Sequence, residues 1–215
     1  MDVLEAVVAG DLEAVRALVA SDPSVASARD EQGLSAILQA LYRGRDEILA
    51  VLLAANPEMD VFDASALGDT GRVAELLDED YQRVSAWSSD GFTPVHLAVF
   101  FGHPKTAELL LRHGADPDVV SRNPMTVRPL HSAVAGRDAE AVAVLVSSGA
   151  NVNAPSHGGF TPLLEAAQNG DRRIVELLLA AGADPAAVLD GGKTAADLAL
   201  AHGHHDVAAL LRERT

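Results

Sequence analysis

The 215-residue sequence contains no cysteine, which excludes disulfides and thiolate-bound metals and is neutral about compartment. Aromatics are scarce: five Phe, two Tyr and one Trp make 4% of a chain that is 48% hydrophobic. Its core must therefore be built from Leu, Val and Ala. No stretch approaches the roughly 18 uninterrupted apolar residues of a membrane span. Cations are few: 16 Lys and Arg face 31 Asp and Glu, a formal charge of -15 with pI ≈ 4.7. That field repels phosphate, which argues against nucleic acid and anionic membranes as partners and favours a basic protein surface, although acidic excess also serves solubility. The opening Met1-Asp2-Val3-Leu4-Glu5 is acidic where a secretory leader is basic, so the expectation is a soluble, unprocessed, cytoplasmic monomer.

Catalytic signatures are also missing. There is no Gly-x-Ser-x-Gly elbow, no His-Glu-x-x-His pair and no complete phosphate loop. Gly191-Gly192-Lys193-Thr194 imitates the tail of such a loop, but the position of its first glycine holds Ala187 and no strand precedes it. Eight histidines invite a metal or acid–base reading, above all His202, His204 and His205. The positions of most of them offer structural roles instead, and no catalytic, cofactor or metal residue is assigned.

What the sequence does contain is a unit, clearest over residues 90–117. Thr93 suits an N-cap and Pro94 the first helical position, where a missing N–H costs nothing. Gly102 ends that helix, a second runs over residues 104–113, and Gly114 stops it. Two short antiparallel helices cannot each bury an apolar face alone, so copies must stack. Copies are present: the unit opened by Pro94 is opened again by Pro129 and by Pro162, and its closing Gly114 returns in the same rhythm as Gly149 and Gly182. With Thr-Pro-x-His at residues 93–96 and Gly-Ala-Asp-Pro at 114–117 and 182–185, the chain resembles an ankyrin-repeat protein, whose period is about 33 residues.

Degenerate copies extend the resemblance over essentially the whole chain, as approximate units 1–29, 30–58, 59–87, 88–120, 121–155, 156–188 and 189–215 of one domain. The expected fold is an all-α repeat, a solenoid of antiparallel helix pairs with hairpin fingers between units. Gly68, Gly102, Gly136, Gly170 and Gly203 are read as turn glycines that follow one another at one full period, whereas Gly44 stands much closer to Gly68 than a period allows. One finger is therefore expected to be missing near residues 56–62, while the finger 118–128 is two residues longer than the next. Gly10, Gly33 and Gly44 recur as Gly68, Gly91 and Gly102, all by the same displacement, which marks the first four helix pairs as a duplicated two-unit block.

The resemblance implies that fingers and exposed positions of first helices line a concave groove that grips partner proteins, that His96 and His131 bond loop backbone, and that His103 and His204 occupy turns. Function must then come from positions the repeat leaves free. Leu67, Phe100 and Phe101, with Leu97 one turn back, Tyr42 and Arg43 two units earlier and Trp87 overhanging, form an expected apolar patch. Arg122, Met125 and Arg128 stand on the long finger beside it. Two readings of the patch stay open: exposed anchors for a partner protein, or a plug for the gap left by the lost finger. A regulatory binder of a small apolar ligand, or a metal protein or enzyme, are the alternatives of another class.

Overall fold

The computed structural model describes residues 1–214 and is helical throughout. Among the described residues there are fourteen α-helices in seven antiparallel pairs. They are α1 (Val3–Ala9) with α2 (Leu12–Ser21), α3 (Ala36–Tyr42) with α4 (Asp46–Ala54), α5 (Val61–Leu67) with α6 (Thr70–Glu79), and α7 (Pro94–Phe100) with α8 (Pro104–Arg112). There follow α9 (Pro129–Ala135) with α10 (Ala139–Ser147), α11 (Pro162–Asn169) with α12 (Arg172–Ala180), and α13 (Ala195–Ala201) with α14 (His205–Arg212). First helices pack on first helices along one layer, and second helices on second helices along the other, except where α4 and α6 part at the missing finger. No helix among the described residues is long and apolar enough to cross a membrane.

Capping explains where the first helices begin. The hydroxyls of Ser35, Thr161 and Thr194 accept the amides of Leu38, Leu164 and Asp197 at 3.0, 3.3 and 3.2 Å. Five fingers are closed by one recurring backbone bond, as in Ser88 N to Phe92 O at 2.8 Å and Ser121 N to Val127 O at 2.8 Å. The expected missing finger is indeed absent: α4 passes to α5 through residues 55–60, where the Glu58 amide donates to Ser27 Oγ at 2.9 Å.

The duplication is complete in the backbone. α1, α2, α3 and α4 recur as α5, α6, α7 and α8 with every boundary moved by one constant displacement, the one that carries Gly10 to Gly68. The 3₁₀ segments Pro23–Ser27 and Tyr81–Ser85, which follow α2 and α6, obey it too. Even the start is copied: Asp2 and Glu5 form a capping box on α1, and Asp60 and Asp63 form one on α5. The 3₁₀ segments themselves go beyond the sequence pattern, which marks only a stop at Asp22-Pro23.

The core divides at the lost finger. One apolar cluster runs through α1–α4 and a second, larger one from Val61 to Leu211. Between them α3 meets α5 narrowly, through the small apolar cluster of Leu38 and Ala66 and through a polar contact beside it. Asp63, fully buried on α5, accepts Arg29 Nη2 at 2.6 Å and pairs with the Ser35 hydroxyl, while Arg29 Nη1 reaches Asp60 at 2.9 Å. Ser65, also fully buried on α5, leaves its hydroxyl without a partner.

One turn reading needs correction. Gly136 is not in a left-handed turn: its φ is -71°, and the left-handed residue is Arg137 at φ 58°. The finger before α9 is longer than its neighbours, so the turn position falls one residue later and Arg137 is the counterpart of Gly102. Glycine is required at 136 for a different reason, since a Cβ there would collide with the carbonyl oxygen of Phe100 on α7. We expect Gly136→Ala to destabilise the protein by about 2 kcal/mol, an overpacking cost against unyielding backbone, read as a lower midpoint in urea unfolding.

Candidate functional site

Five of the eight histidines bond backbone carbonyls of the scaffold. The Thr93 amide donates to His96 Nδ1 at 3.3 Å, which leaves Nε2 to carry the proton and donate to Val127 O at 3.3 Å. The Thr93 hydroxyl also meets that Nδ1, at 2.8 Å, so the threonine bonds the imidazole. His131 repeats the arrangement with the Arg128 amide and Phe160 O. Burial, the leading cause in both, pushes these imidazoles down to about 4, so they are neutral at pH 7. His103 Nε2 bonds Ala66 O at 3.0 Å with its ring over Gly68, where any side chain would collide with it, and His204 lies likewise over Gly170. His202 Nδ1 faces Leu198 O at 3.0 Å. No three His, Asp or Glu side chains converge among the described residues.

The sequence-predicted patch is divided by the structure. Leu97 is not exposed: it is buried with Leu38 and Ala66, and Leu34, Leu41, Phe62, Phe92 and Phe101 pack around them. This small cluster fills the space beside the lost finger, so Leu97 and the half-buried Phe101 serve as the plug. Phe100 lies on the outer side of this cluster and is 38% exposed. Its ring stands edge-on to Phe101 at 5.0 Å, and Phe101 in turn contacts Tyr42 at 5.5 Å. Tyr42 reaches from the second unit across the gap to the finger of the fourth, its hydroxyl donating to Asp90 Oδ2 at 2.7 Å. Burial and then that carboxylate raise the phenol above its ordinary range.

Tyr42, Phe92, His96, Leu97, Phe100, Met125 and Ser132 enclose a cleft of about 290 Å³ whose surface is almost wholly apolar. Three of its walls, Tyr42, Phe100 and Met125, are exposed, so it opens to solvent. Gly136 positions it, because the close approach of α9 to the Phe100 carbonyl fixes where that ring emerges.

The other predicted residues lie around this cleft. Leu67 is half-buried and does not line it. Arg43 is exposed, with Nη1 on Gln39 O at 3.1 Å. Trp87 is covered by the Arg122 guanidinium, 4.2 Å from the ring centroid, and Arg122 N bonds Gly91 O on the neighbouring finger at 2.8 Å. Arg128 is turned along the chain and donates to Pro155 O at 2.9 Å.

The structure adds one residue that the repeat motifs do not single out. Glu165 on α11 is partly buried, its carboxylate has no hydrogen-bond or ion-pair partner among the described residues, and burial alone pushes it up to about 7.

The profile of three consecutive ankyrin repeats matches residues 61–156 and 130–215, and a second ankyrin profile matches residues 3–53. The chain belongs to the ankyrin-repeat family. Ankyrin repeats are in general protein–protein interaction modules. Similar proteins include a transient receptor potential cation channel subfamily A member 1 homolog of Caenorhabditis elegans, 34% identical over 68% of this chain and 12% of its own length. The human neurogenic locus notch homolog protein 4 is 34% identical over 58% of the chain and 6% of its own length. The Drosophila melanogaster tyrosine-protein kinase Shark is 32% identical over 50% of the chain and 11% of its own length. The chain thus matches only small parts of these relatives, and the likeness is one of ankyrin repeats.

Proposed function

We propose that this ankyrin-repeat chain is a non-enzymatic protein-interaction module, which grips a partner protein along the face formed by its first helices and fingers. The observation that carries the reading is the cleft: three of the nine large hydrophobic side chains that are exposed among the described residues gather on its walls. Exposed apolar side chains gathered at one place mark a contact site, and aromatics are favoured anchors. Tyr42, Phe100 and Met125 would form the contact, with Arg43 and Arg122 at its rim. Leu97, Phe101, Trp87, Leu67 and Arg128 would hold these in place. With a net charge of -15, the preferred partner surface is basic rather than nucleic acid or anionic membrane. The stacked repeats set the geometry before binding, so little ordering entropy opposes association.

The second reading, a small apolar ligand, would use the same cleft. At about 290 Å³ it lies at the lower edge of ligand-pocket sizes, and its open walls suit one inserted side chain better than an engulfed molecule. Because Phe101 is part of the plug, the informative variant spares it. Phe100→Ala with Met125→Ala should keep native circular dichroism and lose partner capture from lysate; full retention of the captured protein would overturn the reading.

A further inference from the structure

Counting from the N-cap of each first helix, the fourth residue recurs at one place in the layer. It is Leu97 after Thr93, Ser132 after Arg128, and Glu165 after Thr161. α9 packs against both α7 and α11, so these three side chains form a row across adjacent units. Leu97 and Ser132 both line the apolar cleft. The row therefore runs from an apolar floor, past a hydroxyl that has no side-chain partner among the described residues, to a carboxylate in the same condition.

Glu165 has no scaffold role to explain it. Its counterpart on α3, Gln39, is satisfied by Asp30 at 3.1 Å; on α5 the position is Ala64, and the fully buried acid beside it, Asp63, is met by Arg29 and Ser35. Asp and Glu are rarely buried unless paired, because an unpaired charge loses its hydration without compensation. An incoming cation would supply the missing partner, and the excess negative charge of the chain would draw it in. We propose that the groove takes an extended peptide segment of a partner, with one apolar side chain in the Phe100 cleft and a Lys or Arg ion-paired to Glu165.

The fold sets the spacing between those two residues. Neighbouring helices lie about 8–10 Å apart, so Glu165 stands two units, about 20 Å, from Leu97 on the cleft floor and one unit beyond Ser132 on its wall. An extended chain advances about 3.3 Å per residue, which puts the cation about six residues from the apolar anchor. The Ser132 hydroxyl, midway, faces the peptide backbone between them.

The inference rests on the interaction reading above, and the test separates the two. The probes are fluorescein-labelled peptides on a Gly-Ser background, carrying one Leu and one Lys separated by two to nine residues in either order, with binding followed by anisotropy. Affinity should peak at a separation of five to seven residues in one of the two orders. At the peak, Lys→Gln in the peptide should weaken binding about tenfold on the wild-type protein and leave it unchanged on Glu165→Gln, the coupling that a direct contact requires. Phe100→Ala should weaken every Leu-containing peptide. Affinity independent of separation, additive losses, or no binding up to about 1 mM peptide would overturn the inference. If those outcomes occur while partner capture still depends on Phe100 and Met125, the interaction reading stands and this inference alone falls.

Discussion

Replacing Arg29 with Ala is expected to lower stability at pH 7 by about 3–5 kcal/mol, far more than a surface ion pair is worth. Asp63 is fully buried, and Arg29 is the cation that meets it, at 2.6 Å. Without the guanidinium the carboxylate would keep its desolvation and lose its countercharge. Burial first, and the neighbouring Asp60 second, already raise this carboxyl above 3.8 in spite of Ser35 and Arg29. A carboxyl whose folded value is raised contributes stability below its unfolded value, and that contribution is lost as pH rises through the folded value. The damage from Arg29→Ala should therefore shrink on acidification, as Asp63 takes up a proton. Urea unfolding at pH 7 and pH 5 checks both parts. Because the two main apolar clusters are separate and only the small Leu38–Ala66–Leu97 cluster spans the seam, the variant should also unfold in two steps, α1–α4 first.

Glu165→Gln should act in the opposite sense. The carboxyl of Glu165 rises from 4.5 to about 7 on folding, so its contribution is complete below about 4.5 and lost as pH rises through 7. Gln resembles the protonated acid and has no charge to desolvate. Above pH 7 the variant should be more stable than the parent by up to about 3 kcal/mol, and near pH 4 the two should converge. Thermal melts between pH 4 and 8 read the difference directly. Equal stability of the two proteins at pH 8 would show that water reaches the carboxylate freely.

These two residues also mark what is legible in the sequence. Repeats, helix pairs, the lost finger and the duplicated block are all readable, because each is a matter of spacing between Pro, Gly and capping residues. The roles of His96, His131 and His103 follow from their place in the repeat. The fate of the free positions is harder to read. Phe100 and Phe101 are adjacent and alike, yet one faces the cleft and the other the plug, since helical geometry turns successive side chains about 100° apart. Leu97 looks exposed by its place in the repeat, and it is covered by Leu38, reached across the lost finger, together with Ala66. Nothing local to Gly136 signals that Phe100 O sits against it, so its place near the turn suggests the wrong role. Glu165 does carry a signal, a lone acid in a row otherwise held by Leu97 and Ser132, which appears once the repeats are aligned by their caps.

The copied capping box gives the seam a further meaning. Asp60 and Asp63 open α5 as Asp2 and Glu5 open α1, so the third unit is built like the beginning of a chain, set in the interior and docked by charge on the finger that precedes α3. Fingered junctions join one unit to the next by apolar burial and by side-chain bonds to finger backbone, such as those of His96 and His131. This one joins a finished two-unit module to another of the same design. The architecture is thus extensible at residues 55–60: a further copy of residues 1–58 placed there would offer its own Arg29 to Asp63 and its own Glu5 to the preceding Arg29, and the solenoid would lengthen without the invention of a new interface.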